Sequence, residues 1–439
     1  MASTAPALVC CVLIFFCVYA AYDLPAALVL QLREELKLSQ TQFALLYAVP
    51  GAVGVFLSLT LSIHGLKHLG VSQSMVLFSA LAFGGQAAFA VGVERELFWL
   101  AVCGRAAVAA GRESLLVALQ TLLVMWYPGG KTTVFAGVTL CAARMGTVAS
   151  FLGAPAVLSY AMRDGVTLDP LAQTAIFSAG VAAVAFLAAI ALAVVGVACR
   201  VAPPSRPPPL PERISASKAC ALGGEFWLLA LSGALLYGCV LSFAQVASAL
   251  LQDNYFGTAC LRGPIRKTCR QDATHDANVL LSIPFAIAAV FSPFLVGGVE
   301  RIGKRSLLVA FAALVTAGAF ALLRVTAGVR QEDGPEYATM LLGLCYAVFG
   351  AALWPAIATA VKRDQLSTAY AVAGAVQQLS LTVGPLAVGA AYDYYGSWRP
   401  VEIGLISVCA LAFLLAMLSA AMEKPRAPPS SERLLGNAV

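Results

Sequence analysis

"LLYAVPGAVGVFLS" (residues 45–58) returns later in the chain as "LLSIPFAIAAVFSP" (residues 280–293), with Pro50 and Pro284 in similar places. Each copy is followed by a short polar turn of similar make-up, "HGLKHLGVSQS" (64–74) after the first and "GGVERIGKRS" (297–306) after the second. Between the copies runs "VAPPSRPPPLPERISASKAC" (201–220), a Pro-rich basic stretch of the kind that makes a semi-rigid linker. The chain therefore reads as two related units, an arrangement that suits carriers whose binding site lies between the repeats at mid-membrane.

Composition says what surrounds those units. Of 439 residues 60% are hydrophobic and 11% charged, against about 25% charged in soluble proteins. The apolar excess must face something apolar, and lipid fits. A helix crosses a bilayer core in about 20 residues, and twelve apolar runs of that order follow one another: 6–30, 41–63, 71–93, 97–126, 133–160, 171–199, 223–251, 277–298, 305–328, 336–361, 366–392 and 398–422. Helices are expected because lipid offers exposed backbone no partner. The reading is an all-α membrane protein of twelve transmembrane helices in two six-helix halves, 1–200 and 223–422, joined by a cytosolic linker at 201–222 and ending in a cytosolic tail at 423–439.

Lys and Arg are more frequent on the side that carries both termini, which places that side in the cytosol. The first run has no Lys or Arg before it and continues past Asp23, so it reads as a retained helix and not as a cleaved leader. No Asn begins a glycosylation sequon. Of twelve cysteines, only Cys260 and Cys269 share a polar loop, on the side away from the cytosol. A disulfide and two free thiols both remain open there. No clustered basic face interleaved with aromatics points to nucleic acid. No P-loop, HExxH, metal cluster or sizeable soluble domain points to an enzyme, an ATP-driven pump or a cofactor.

Five charges lie well inside predicted spans: Asp23, Arg105, Arg112, Glu113 and Arg144. Each costs about 2.5–3.5 kcal/mol at a helix centre, so each should face a watery cavity or a partner. By helical rise, Glu113 lies about 20 Å from the cytosolic end of helix four and Arg144 about 17 Å from the start of helix five. The two are level near the midplane on antiparallel neighbours. They either pair with each other or hold the two ends of a zwitterion, Arg presenting a fork matched to a carboxylate. Adjacent helical residues point about 100° apart, so only one of Arg112 and Glu113 need line a cavity. Arg112, seven residues after Arg105, reads as structural or as a second anion contact. Tyr22 and Asp23 stand before Pro25, which is expected to bend helix one. Trp354 reads as pocket wall or bundle aromatic; Gln377 and Gln378 as hydrogen-bonding groups for a peptide backbone or as core glutamines.

The chain resembles the major facilitator superfamily through "GGVERIGKRS", which is similar to that superfamily's cytosolic loop motif with Glu300 in place of the usual Asp and Arg301 beside it. An acid there latches the halves in one state. The first-half copy departs, with His64 near the expected Asp. Within the superfamily the chain resembles the major facilitator superfamily domain-containing protein 1 family over most of both halves, through "YDLPAAL" (22–28), "GRAAVAAGRESL" (104–115) followed by "MWY", "FAGVTLCAARMGT" (135–147), "LLGLCYAVFGAALWP" (341–355) and "QLSTAYAVAGAVQQL" (365–379). The resemblance implies facilitated export of dipeptides from lysosomes, Glu113 taking the peptide's amino end and Arg144 its carboxylate. It also implies a single-pass accessory glycoprotein and a dileucine signal, for which Leu434 and Leu435 are the candidates. The family has Gly where this chain has Arg112. Another solute carrier, or a receptor that transports nothing, are the competing functions, and the plasma membrane is the competing location.

Overall fold

The computed structural model describes residues 5–126, 130–163, 168–198, 221–256, 267–302, 304–327, 334–362 and 365–423. The described secondary structure is helical: α1 Ala5–Tyr22, α2 Leu24–Ala27, α3 Val29–Glu35, α4 Gln40–His68, α5 Val71–Glu94, α6 Phe98–Trp126, α7 Gly130–Arg163, α8 Pro170–Ala198, α9 Gly224–Leu251, α10 Lys267–Ile302, α11 Arg305–Thr326, α12 Gly334–Ala360, α13 Leu366–Tyr395 and α14 Arg399–Met422. Ten helices among the described residues are long and apolar enough to cross a membrane, and α4 is an eleventh when the parts on either side of its bend count as one span. A shorter apolar helix, α1, precedes them and runs on into α2 and α3. Large apolar side chains such as Leu187, Val194, Phe294, Leu414 and Leu418 stay exposed on the outer faces, as a lipid solvent requires.

The first six spans pack largely on one another, through α4–α6, α5–α6, α5–α8, α1–α7 and α1–α8. The last six do the same through α9–α13, α9–α14, α10–α12, α11–α12 and α11–α14. Two long pairings cross between the groups, α4 with α13 and α7 with α10. Small residues permit the closest approaches. A Cβ on Gly104 would lie 2.5 Å from the Phe89 amide nitrogen, and one on Gly111 2.5 Å from the Phe78 carbonyl. Without hydrophobic drive between helices in lipid, such backbone proximity is what packing energy is made from. It also fixes α6, and with it the residues just after Gly111.

Two departures from the apolar runs are informative. The first run breaks into three helices at Asp23 and Leu28 around Pro25. The eighth begins at Lys267, well before its apolar stretch at 277, because its polar first turns have partners. Asn278 donates to the Ala27 carbonyl at 2.9 Å, where the break after α2 frees it, and Gln31 donates to the Thr274 hydroxyl at 2.9 Å. Thr274 in turn bonds Gln252 at 2.9 Å.

The same end of the bundle carries a second tie between the two groups. Asp393, in the last turn of α13, accepts the Gln40 amide at 2.9 Å and the Thr41 amide at 2.8 Å. Those are two of the orphan donors of the α4 N-terminus, where the helix dipole favours a carboxylate. Ser39 and Gln42 complete the terminus as a capping box. Of the Cys260–Cys269 pair, for which a bridge and two free thiols are both open, Cys260 lies outside the described residues. The linker over 199–220 and the tail from 424 lie outside them too, as do the Leu434–Leu435 signal and the side chains of Glu300 and Arg301.

Replacing Asp393 by Asn removes a charged acceptor from two amides at once, an interaction of about 1.5–3 kcal/mol. Amide hydrogen exchange at Gln40 and Thr41 should then accelerate by about tenfold or more. Unchanged protection of both amides would show that Asp393 does not hold this end shut.

Candidate functional site

A cavity of about 390 Å³ lies inside the bundle, within the range of small-molecule sites. Its walls come from both groups of helices: Tyr22, Asp23, Glu113 and Arg144 from the first, Tyr237, Tyr346, Trp354 and Gln378 from the second. Every residue proposed from sequence as substrate-binding is there, namely Tyr22, Asp23, Glu113, Arg144, Trp354, Gln377 and Gln378. Arg105 is not in the wall.

Arg105 instead explains how the wall is built. It is the largest fully buried side chain, 0% exposed. Its Nη1 donates to the Tyr22 carbonyl at 2.6 Å and its Nε to the Leu46 carbonyl at 3.1 Å. Both acceptors are carbonyls that the helices have lost. In a continuous α1 the Ala26 amide would bond Tyr22, yet it bonds Asp23 at the break. In α4 the partner of Leu46 would be residue 50, which is Pro50 and has no N–H. One guanidinium therefore satisfies two helix interruptions. It also stacks over Tyr22 at 4.0 Å and Tyr47 at 4.7 Å from the ring centroids. No carboxylate among the described residues pairs with it.

Next to the break stands Asp23, which lines the cavity and accepts a hydrogen bond from the Thr147 side chain of α7. About two turns along α6 from Arg105 come Arg112 and Glu113. The two bond each other at 2.5 Å, and both line the cavity. The sequence argument that only one of two adjacent residues need face inward holds for Cβ directions. It fails here because the long Arg112 side chain folds back to lie over the Tyr22 ring, 4.0 Å from its centroid. The expected alternatives for Glu113 and Arg144 resolve likewise: Glu113 bonds its neighbour and not Arg144.

Arg144 has no ion-pair partner among the described residues. Its guanidinium sits 4.4 Å from the centroid of the Tyr346 ring on α12, and its buried Nε has no hydrogen-bond acceptor. Gly350, one turn along α12, leaves room beside it: a Cβ there would come 3.8 Å from Arg144 Nη2. Around this group lie Tyr237, stacked edge-on against Phe349 at 4.7 Å, and Phe285, stacked on Phe151 at 5.7 Å. Trp354 hydrogen-bonds Tyr237. Gln378 packs on α4 where Gly54 has no side chain; a Cβ there would come within 3.0 Å of the Gln378 carboxamide. Tyr19, Tyr47, Thr147, Tyr237, Gln245 and Tyr346 were missed from sequence. A tyrosine or glutamine inside an apolar run was the available signal. The site thus offers one free guanidinium, a carboxylate with a spare oxygen, amides and aromatic faces. It holds no cluster suited to a metal ion among the described residues.

The Major Facilitator Superfamily family model matches residues 269–438. The chain is 27% identical over 409 residues to the lysosomal dipeptide transporter MFSD1 of Bos taurus, covering 91% of this chain and 81% of that protein. Similarity to the protein of the same name from Danio rerio is also 27%, over 93% and 85% of the two chains. Among solved structures, a bacterial homologue of the human lysosomal transporter Spinster, inward-facing and occupied, superimposes with a TM-score of 0.68 at 14% identity over 94% of both chains. A point mutant of the nucleoside transporter NupG does so with a TM-score of 0.70 at 13% identity, over 95% of this chain and 99% of that one.

The Arg105 clamp predicts a defined defect. Arg105→Lys keeps the charge but loses the fork that reaches two carbonyls. Leaving one buried acceptor unpaired costs about 1–3 kcal/mol, so the melting temperature in detergent should fall by several degrees. A variant that melts with the wild type would remove the clamp from the account.

Proposed function

We propose that this multi-pass membrane transporter is a member of the major facilitator superfamily and carries dipeptides by alternating access. The observation that carries the reading is Arg144, a guanidinium without a counter-ion among the described residues. It lines the same cavity as Glu113. Two opposite charges on successive helices, α6 and α7, which pack little on each other and face the same cavity, suit the two ends of a zwitterion. Charge-assisted bonds to each are about twice as strong as neutral ones. Gln377 and Gln378 offer donors and acceptors for the peptide unit between, and the aromatic walls accept side chains by stacking and burial. A cavity of about 390 Å³ suits a dipeptide better than a single amino acid, which would leave space that only water fills.

Movement follows from the same contacts. The ties at Asp393 and around Asn278 join the two groups of helices at one end, and carriers of this kind rock one repeat against the other about a fixed midplane site. Opening that end means parting Asp393 from the α4 terminus. The division into halves at 1–200 and 223–422, with termini in the cytosol, is part of the proposal. So are residence in the lysosomal membrane, as in the named relatives, and an accessory single-pass glycoprotein.

Uptake of labelled dipeptide and labelled free amino acid by vesicles reconstituted with the purified chain tests the reading. Dipeptide should accumulate and amino acid should not. Glu113→Gln and Arg144→Gln should each lower dipeptide uptake by about tenfold or more while the melting temperature holds. Equal uptake of amino acid, or wild-type rates in both variants, would overturn it.

A further inference from the structure

This inference rests on the dipeptide reading and narrows its cargo. Arg112 and Arg144 both line the cavity, and each has a buried Nε–H with no acceptor. Arg112 already bonds Glu113 through Nη2, so its second edge is the part left over. Arg105 stands directly behind the Tyr22 ring that forms the wall. Two guanidinium groups therefore line the cavity and a third lies behind its wall, against two carboxylates, Asp23 and Glu113, among the described residues. Asp23 is engaged by Thr147, and Glu113 is shared with Arg112. Arg144 is the charge left without an opposite.

A dipeptide with uncharged side chains brings one carboxylate and one ammonium. It answers Arg144 and the free oxygen of Glu113, leaves the Arg112 donor unmatched, and leaves the excess positive charge in a low-dielectric site where buried charge is costly. A dipeptide that contains Asp or Glu brings two carboxylates and one ammonium. Each unpaired guanidinium edge then gains an acceptor and the site becomes neutral overall. A lysine-containing peptide would bring a second ammonium and raise the excess positive charge further.

We propose that Arg112 is a specificity-determining residue, and that the cavity selects net-anionic dipeptides, with Arg112 receiving the acidic side chain while Arg144 holds the terminal carboxylate. The pair that Arg112 makes with Glu113 keeps it poised over Tyr22 and Tyr19, 4.0 Å and 5.3 Å from their centroids. Its fork is thus set in place before the cargo arrives, and little ordering cost remains on binding.

The test is competition. Vesicles reconstituted with the full chain take up labelled Ala-Ala near neutral pH, where peptide carboxyls, with ordinary values near about 4, are ionised. Unlabelled Ala-Glu, its near-isostere Ala-Gln, and Ala-Lys compete. Ala-Glu should inhibit at about tenfold lower concentration than Ala-Gln, the margin of one charge-assisted contact, and Ala-Lys should be weakest. In Arg112→Gln the advantage of Ala-Glu over Ala-Gln should vanish. Wild-type protein that does not distinguish Ala-Glu from Ala-Gln overturns the proposal without any variant having to fold, and so does an advantage that survives Arg112→Gln. If Ala-Ala is carried but Ala-Glu is not favoured, the dipeptide reading stands and this one falls. If no dipeptide is carried, both fall.

Discussion

The structure depends on one buried guanidinium that repairs two broken helices. A transmembrane helix cannot be interrupted in lipid unless the carbonyls released by the interruption find donors. Here the break at Asp23 releases the Tyr22 carbonyl and Pro50 releases that of Leu46, and Arg105 takes both. What the clamp secures is the local shape of the site. Tyr22 and Asp23 at the break line the cavity, and so do Pro50 and Gly51 of α4. An arginine in this place costs insertion energy and returns it as hydrogen bonds, which is why its charge needs no carboxylate.

The remaining intramembrane charges behave differently because their surroundings differ. Glu113 and Arg112 neutralise each other against tyrosine rings; Asp23 takes a hydroxyl; Arg144 meets an aromatic face and, among the described residues, no anion. A face-on ring weakly offsets a cation but leaves its N–H edge free. That asymmetry leaves one edge of the cavity able to accept a negative group, which is the end of the proposed cargo that Arg144 would hold. The aromatic walls supplied by α9, α10 and α12 then close the site with apolar area, so that an entering ligand exchanges water for side chains of the second group of helices.

How much of this was legible in the chain itself varies with the kind of interaction. Hydropathy located the spans, and the paired prolines Pro50 and Pro284 marked the repeat, because both are local properties. Charges inside apolar runs pointed to Glu113, Arg144 and Asp23, since buried charge has few explanations. The partners of Arg105 were not legible: they are backbone carbonyls on two other helices, with no side-chain signature. The Asp393 cap on α4 was hidden for the same reason, as it joins a helix end to residues far away in sequence. The start of α10 was placed too late, because Asp272, His275 and Asp276 end the apolar run while the helix continues and turns Thr274 and Asn278 toward α2 and α3. Tyr237 and Tyr346 were passed over as ordinary members of apolar segments, although each carries a hydroxyl that lipid would not welcome.

The central claim is that Glu113 and Arg144 each hold one end of the same cargo, and capped peptides test it end by end. Affinities of a dipeptide, its N-acetyl form and its C-amide form would be measured on the wild type, Glu113→Gln and Arg144→Gln. The account predicts that N-acetylation weakens binding to the wild type by about tenfold or more yet adds little in Glu113→Gln, and that amidation behaves in the same way with Arg144→Gln. Penalties from capping and mutation that simply add at both ends would contradict it.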